Sequence, residues 1–189
     1  MRHFWRHIAF TLALVLSASQ ATAPAVGYVI ENQAYADYVP SAGTPQRVQS
    51  NTVAVTVGQV SAFTLTAPQE RFVAPGGNVS FFHTLTNTGN GADQFSLSLA
   101  NDSVASSGGA FDFTQWQLFA DANGDGIADN NIPLSSSPVL PAGGVFRFVA
   151  VAAVPASALT GQRDQLIVSA AGNAAYASSQ GFEIGRAHV

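Results

Sequence analysis

The sequence predicts an all-β protein built as a β-sandwich. Three observations carry this: Thr, Val, Phe and Ser are abundant, Gly and Pro recur as punctuation, and no long window places apolar residues at the i, i+3, i+4, i+7 spacing of a helix. About seven short segments of alternating apolar and polar residues, separated by turn chemistry, suit two sheets packed face to face.

The elements follow in order. V-G-Y-V-I-E-N-Q-A-Y-A-D-Y, the Pro/Gly loop V-P-S-A-G-T-P-Q and R-V-Q-S-N-T-V-A-V-T-V predict an antiparallel hairpin over residues 22–57. Val53, Val55 and Val57 share one of its faces. A lone hairpin is marginal in water, so it should pack on the following domain or on a partner. The sandwich is expected over residues 58–182. Ser61, Phe63 and Leu65 alternate, and R-F-V forms a short strand before the turn A-P-G-G. In N-V-S-F-F-H-T-L-T-N, one face holds Val79, Phe81, His83 and Leu85. After the turn T-G-N-G-A-D, Phe95, Leu97 and Leu99 point inward. A polar loop, N-D-S-V-A-S-S-G-G-A, precedes the strand T-Q-W-Q-L-F-A, whose Trp116 is expected in the core. V-F-R-F-V-A-V-A-A-V is apolar on both faces except at Arg147 and should be central in its sheet. D-Q-L-I-V-S-A-A closes the series with Leu166 and Val168 inward. Five or six of the thirteen phenylalanines turned inward, at roughly 1.5–3 kcal/mol each, would offset much of the ordering entropy.

Both ends read differently. M-R-H-F-W-R-H followed by the apolar run Ile8–Leu16 is the pattern of a secretory signal peptide, residues 1–21, with cleavage expected after Ala21. The run is too short to span a bilayer, which takes about 20 residues. The protein is therefore expected to be exported, to the cell surface or outside the cell, with no membrane span in this stretch. The last seven residues, E-I-G-R-A-H-V, resemble one translated frame of a common sequencing adapter. Residues 183–189 are thus expected to be a non-native tail on a fragment of a longer protein.

Charge narrows the partners. Lysine is absent, and between the two ends four arginines face ten acids, leaving about −6. A nucleic-acid surface is excluded by that balance. With no cysteine, thiol and disulfide chemistry are excluded as well.

The sharpest chemistry lies in D-A-N-G-D-G-I-A-D-N-N, residues 121–131. Calcium takes six to eight oxygens, and this spacing can supply them. Asp121, Asn123, Asp125 and Asp129 offer side-chain oxygens, Ile127 its carbonyl, and Gly126 the sharp turn. The loop matches the first nine positions of an EF-hand and then departs, with Ile132 where that loop has a bidentate Glu. Modest affinity follows, roughly 10⁻⁴ to 10⁻³ M. The bland alternative is a tight polar turn, which prefers the same residues. Repulsion among three acids with no arginine or lysine close in sequence favours the cation.

Elsewhere catalytic chemistry is thin. His83 reads as a neutral, hydrogen-bonded structural histidine, no histidine cluster suggests zinc, and no G-x-S-x-G marks a serine hydrolase. A glycine-rich loop is a poor place for paired catalytic carboxylates. No enzyme is expected.

A-P-G-G-N-V-S-F-F-H-T-L-T-N-T-G-N-G-A-D-Q-F, with Q-S-N-T-V-A-V-T-V before it and F-A-D-A-N-G-D-G-I-A-D-N and L-P-A-G-G-V-F-R-F-V-A-V-A-A-V-P-A-S-A after it, resembles the "conserved repeat" domain of unknown function found in large bacterial surface proteins. The resemblance covers most of residues 25–172. It implies an immunoglobulin-like sandwich, neighbouring repeats as partners and no catalytic residues. The expected function is a structural or adhesive module with a calcium-stabilised loop. The alternative is an accessory module of a secreted enzyme, binding a surface protein or glycan.

Overall fold

The computed structural model describes residues 23–188 except 42, 67, 103–110 and 174–178, and for 179–188 the backbone path only. The expected signal peptide lies outside the described residues. Twelve strands and no helix are present among the described residues, so the all-β prediction holds.

Two ribbons come first. β1 (Val29–Asn32) pairs antiparallel with β4 (Val53–Thr56), and β2 (Tyr35–Tyr38) with β3 (Gln46–Gln49). Because Asn32 pairs with Val53 and Tyr35 with Gln49, the returning strand carries one extra residue at the junction, a bulge. Bonds from Gln33 Nε2 to the Ser50 carbonyl and from the Ala34 N–H to Ser50 Oγ, both 2.9 Å, join the pieces into one hairpin. Every residue of these four strands is exposed.

The sandwich holds two four-stranded sheets. The first runs β5 (Phe63–Leu65), β7 (Asn78–Asn87), β10 (Val145–Ala153), β9 (Gln115–Ala120), and is antiparallel throughout. The second runs β6 (Gln69–Phe72), β12 (Ser179–His188), β11 (Arg163–Gly172), β8 (Phe95–Asn101). Here β6 and β12 pair in parallel and the others antiparallel. β10 is central, as its two-sided apolar pattern requires. The backbone of β12 includes residues 183–188, the stretch that resembles adapter translation. A slot between two strands selects mainly for extended backbone with free N–H and C=O groups, which many sequences can supply.

The core follows from alternation. Along β7 the burial pattern is strictly alternating from Asn78 to His83, with Val79, Phe81, His83 and Leu85 buried. Phe95, Leu97, Phe148, Ala150, Leu166 and Val168 meet them from the other strands, and Phe111 and Phe113 enter from the segment before β9. Rings pack edge to face where Phe63 meets Phe95 at 5.4 Å and Phe111 meets Phe113 at 5.4 Å.

The T-L-T-N-T-G-N-G turn owes its shape to one side chain. Asn87 is fully buried, and its Nδ2 donates to the carbonyls of Gly91 and Leu140, both 2.9 Å, and Pro141, 3.2 Å. Its Oδ1 accepts from the Gly89 N–H at 2.9 Å. Asn87 thereby ties the turn after β7 to the segment leading into β10. Asn90 then clamps the hairpin's base, donating to the carbonyls of Pro24 and Gly58 and accepting from the Val60 N–H.

Candidate functional site

β9 delivers the acidic loop. Asp121 follows its last residue, and the Asp121 N–H still bonds the Arg147 carbonyl of β10 at 3.2 Å. Gly124 and Gly126 take positive φ, 73° and 80°, so the chain winds back over Asp121 and leaves it 1% exposed. Asp121 Oδ1 accepts from the N–H of Gly124 (2.9 Å) and Asp125 (3.1 Å), and Oδ2 from Gly126 (3.0 Å). Asp129 closes the loop, its Oδ2 accepting from the Ala122 N–H at 2.7 Å and its own N–H bonding the Ala120 carbonyl at 2.9 Å. Asn123 and Asp125 are exposed; Asn123 Nδ2 donates to Asp125 Oδ2 at 2.9 Å, and Asp125 Oδ1 accepts from the Ile127 N–H at 2.8 Å.

The predicted ligand residues therefore occupy one compact loop, organised by carboxylate-to-backbone bonds. No group of three or more His, Cys, Asp or Glu side chains is gathered as a metal set among the described residues. An arginine does lie close: the position of a Cβ on Gly124 is 3.1 Å from Arg147 Cδ. Strand pairing, not sequence proximity, brings this cation to the loop, where it forms no ion pair with the three acids among the described residues.

Two further expectations change. Trp116 is 37% exposed instead of filling the core, because it sits at the open edge between the sheets, its Nε1 donating to the Leu99 carbonyl of β8 at 3.1 Å. His83 is buried against Phe148 (5.3 Å between rings), but neither ring nitrogen has a hydrogen-bond partner. Its neighbours along that face of β7, Phe81 and Leu85, and Phe148 across the strand pair supply no donor or acceptor.

Burial pushes the His83 imidazole down from 6.5 to about 4, so it is neutral in the fold. Asp164 moves oppositely, up to about 6: burial raises it, the N–H groups of Gln165 and Phe113 pull it down, and the charges of Asp112 and Asp102 add to the rise. As pH falls from about 6.5 to 4, the unfolded chain protonates its histidine before the fold can, so acid removes stability there. Asp164 keeps its proton in the fold up to about 6, so its contribution is present below the unfolded value of 3.8 and lost as pH rises through 6. The two slopes oppose each other. His83→Leu is expected to gain, relative to the parent, on the order of 3 kcal/mol in urea unfolding between pH 7 and pH 4. Equal acid sensitivity in both proteins would show that His83 is not the group responsible.

A trough lies on the outer face of the first sheet. Small residues of β10, Val151 and Ala153, form its floor; Asn78 of β7 walls one side and Gln115 and Gln117 of β9 the other, matching the pairs Ala153↔Asn78, Ala153↔Gln115 and Val151↔Gln117. Its volume is about 720 Å³ and its lining carries no charged side chain. Alternation puts the residues of each strand on one face, but only the strand order shows which strands flank β10.

No protein-family model matches the chain, and no curated protein matches it either. Among solved structures it is similar to the PapD-like domain 7 of human CEP192, at 14% identity over 67% of this chain and 83% of that one, with a TM-score of 0.40. It is also similar to a family 123 glycoside hydrolase from Clostridium perfringens (10% identity, 69% of this chain, 27% of that one, TM-score 0.40). A third is AggA, the major subunit of aggregative adherence fimbriae type I from Escherichia coli (18%, 71% and 97%, TM-score 0.34). At such identities and scores no residue role passes from them to this chain.

Proposed function

We propose that this chain is a non-catalytic structural or adhesive module of an exported bacterial surface protein, working beside neighbouring repeats. The observation that carries this reading is the division of the molecule into a ring-filled sandwich and a clamped hairpin whose strands are exposed. A rigid body with a projecting arm is suited to spacing and joining other bodies. The signal pattern at the N-terminus supports export. Antibody labelling of intact cells tests it: signal before lysis is expected, and signal only after lysis overturns the surface assignment.

Within this reading the acidic loop takes calcium, through side-chain oxygens of Asp121, Asn123, Asp125 and Asp129 and the carbonyl of Ile127. Its support is the density of oxygen donors, the two left-handed glycines that wind the chain around them, and the burial of Asp121 without an ion-pair partner among the described residues. Calcium at about ten times its dissociation constant would add roughly 1.4 kcal/mol, a rise of about 3–6 °C in the melting temperature that EDTA reverses. Asp125→Asn should abolish the rise. An identical melt in calcium and in EDTA removes calcium from the account and leaves the loop as a self-capped turn.

A further inference from the structure

Three exposed amide side chains border the trough: Asn78 from β7, and Gln115 and Gln117 from β9. None of the three makes a side-chain hydrogen bond among the described residues. Between them lies an apolar floor. Val151 and Ala153 point outward because Ala150 and Ala152 point into the core. Register sets Ala153 between Asn78 and Gln115, and Val151 beside Gln117. The floor ends at rings. Val149, next on the same face, is fully buried in the row it shares with Phe82 and Phe119, and Phe119 lines the trough.

Each free amide offers two N–H donors and a carbonyl acceptor. Amides at the rim, methyl groups on the floor and a ring at the end suit a ligand with hydroxyls around its edge and C–H groups on its face. That is the chemistry of a neutral sugar.

Size and charge argue against other occupants. Asn78 and Gln115 stand two strand spacings apart, about 10 Å, and Ala153 lies about 13 Å from Val149, a floor of roughly 130 Å². A stable protein interface takes about 800 Å² per partner. The trough's volume of about 720 Å³ falls instead within the roughly 300–1,000 Å³ of small-ligand sites. An ionic ligand finds no counter-charge, since no lining side chain is charged. An apolar one would cut the amides off from water with nothing to bond. A peptide laid on a sheet protein draws on free backbone groups, and β10 along this floor is hydrogen-bonded on both sides.

We infer that the trough binds a neutral saccharide of one or two rings, its C–H face on Val151 and Ala153 and its hydroxyls on Asn78, Gln115 and Gln117. This gives the adhesive module a ligand class and rests on that reading.

Ligand-observed NMR titration of the purified full chain tests it, with maltose, cellobiose, lactose and N,N′-diacetylchitobiose as probes. At least one should bind saturably, with a dissociation constant of about 1 mM or tighter. Asn78→Ala and Gln117→Ala should each weaken that binding about fivefold by removing hydrogen bonds. Both side chains are exposed, so both variants should melt with the parent. Ala153→Glu, which sets a charge in the floor, should abolish binding. Gln46→Ala, which removes an exposed amide of the hairpin, should leave it unchanged. Failure of all four probes to bind, or trough variants that bind like the parent, overturns the inference. So does sialyllactose bound as tightly as lactose, or the neutral peptide Ser-Gln-Val-Gln-Ser bound in place of the sugars. A chain that binds no probe yet labels on intact cells would sink the saccharide and leave the surface module standing. One that binds a sugar but labels only after lysis would do the reverse.

Discussion

Phe148→Ala is expected to lower the free energy of unfolding by about 3–5 kcal/mol, a large share of the roughly 5–15 kcal/mol that holds an ordinary domain folded. The ring is fully buried on the central strand, stacked on Phe146 at 5.8 Å and set against His83 at 5.3 Å. β10 is hydrogen-bonded on both sides, so its backbone cannot shift to refill the space. The loss is transfer free energy plus an unhealed cavity. Phe148→Leu should cost less than half as much. Thermal or urea unfolding checks both, and a Phe148→Ala variant within about 1 kcal/mol of the parent would falsify this placement of the core.

Asn87→Ala comes next, with an expected loss of about 3 kcal/mol. The substitution removes three donated bonds and one accepted bond at a buried position and takes from the Gly91 carbonyl its donor, while the carbonyls of Leu140 and Pro141 keep the N–H groups of Asp93 and Gly144. Asn87→Asp should be at least as damaging, because an acceptor would then face three carbonyl oxygens. Since the same turn carries the hairpin clamp, hydrogen exchange in residues 24–28 and 58–60 should speed up before the sandwich unfolds. Protection unchanged at those amides would show that the clamp does not depend on Asn87.

The core was legible because alternation is a local property. Phe81 and Phe82 are chemically identical, yet the period of two assigns one to the interior and the other, 42% exposed, to the surface. Trp116 escaped the same reasoning. Its strand has the right period, but it lies at a sheet edge, where an inward-pointing residue meets the gap between sheets. His83 was placed correctly on its face, and its lack of partners could not be read because they depend on what other strands bring.

The candidate site divides in the same way. That Asp121 through Asp129 would form one tight, oxygen-rich loop follows from residues within nine positions of each other, with glycines where the chain must take positive φ. That Arg147 lies along this loop does not follow, since the contact exists only because β9 and β10 run side by side with Asp121 opposite Arg147. The trough is likewise a product of strand order.

The sequence by itself determined the strands, their buried faces, the turn chemistry and the composition of the acidic loop, because each depends on residues close in the chain and on the two-residue repeat of an extended backbone. Tertiary structure alone decided which strands are neighbours, which edge is left open, what lies beside a charge and where the hairpin stands. Those depend on pairings between segments tens of residues apart, chosen by how all the apolar faces can be buried at once.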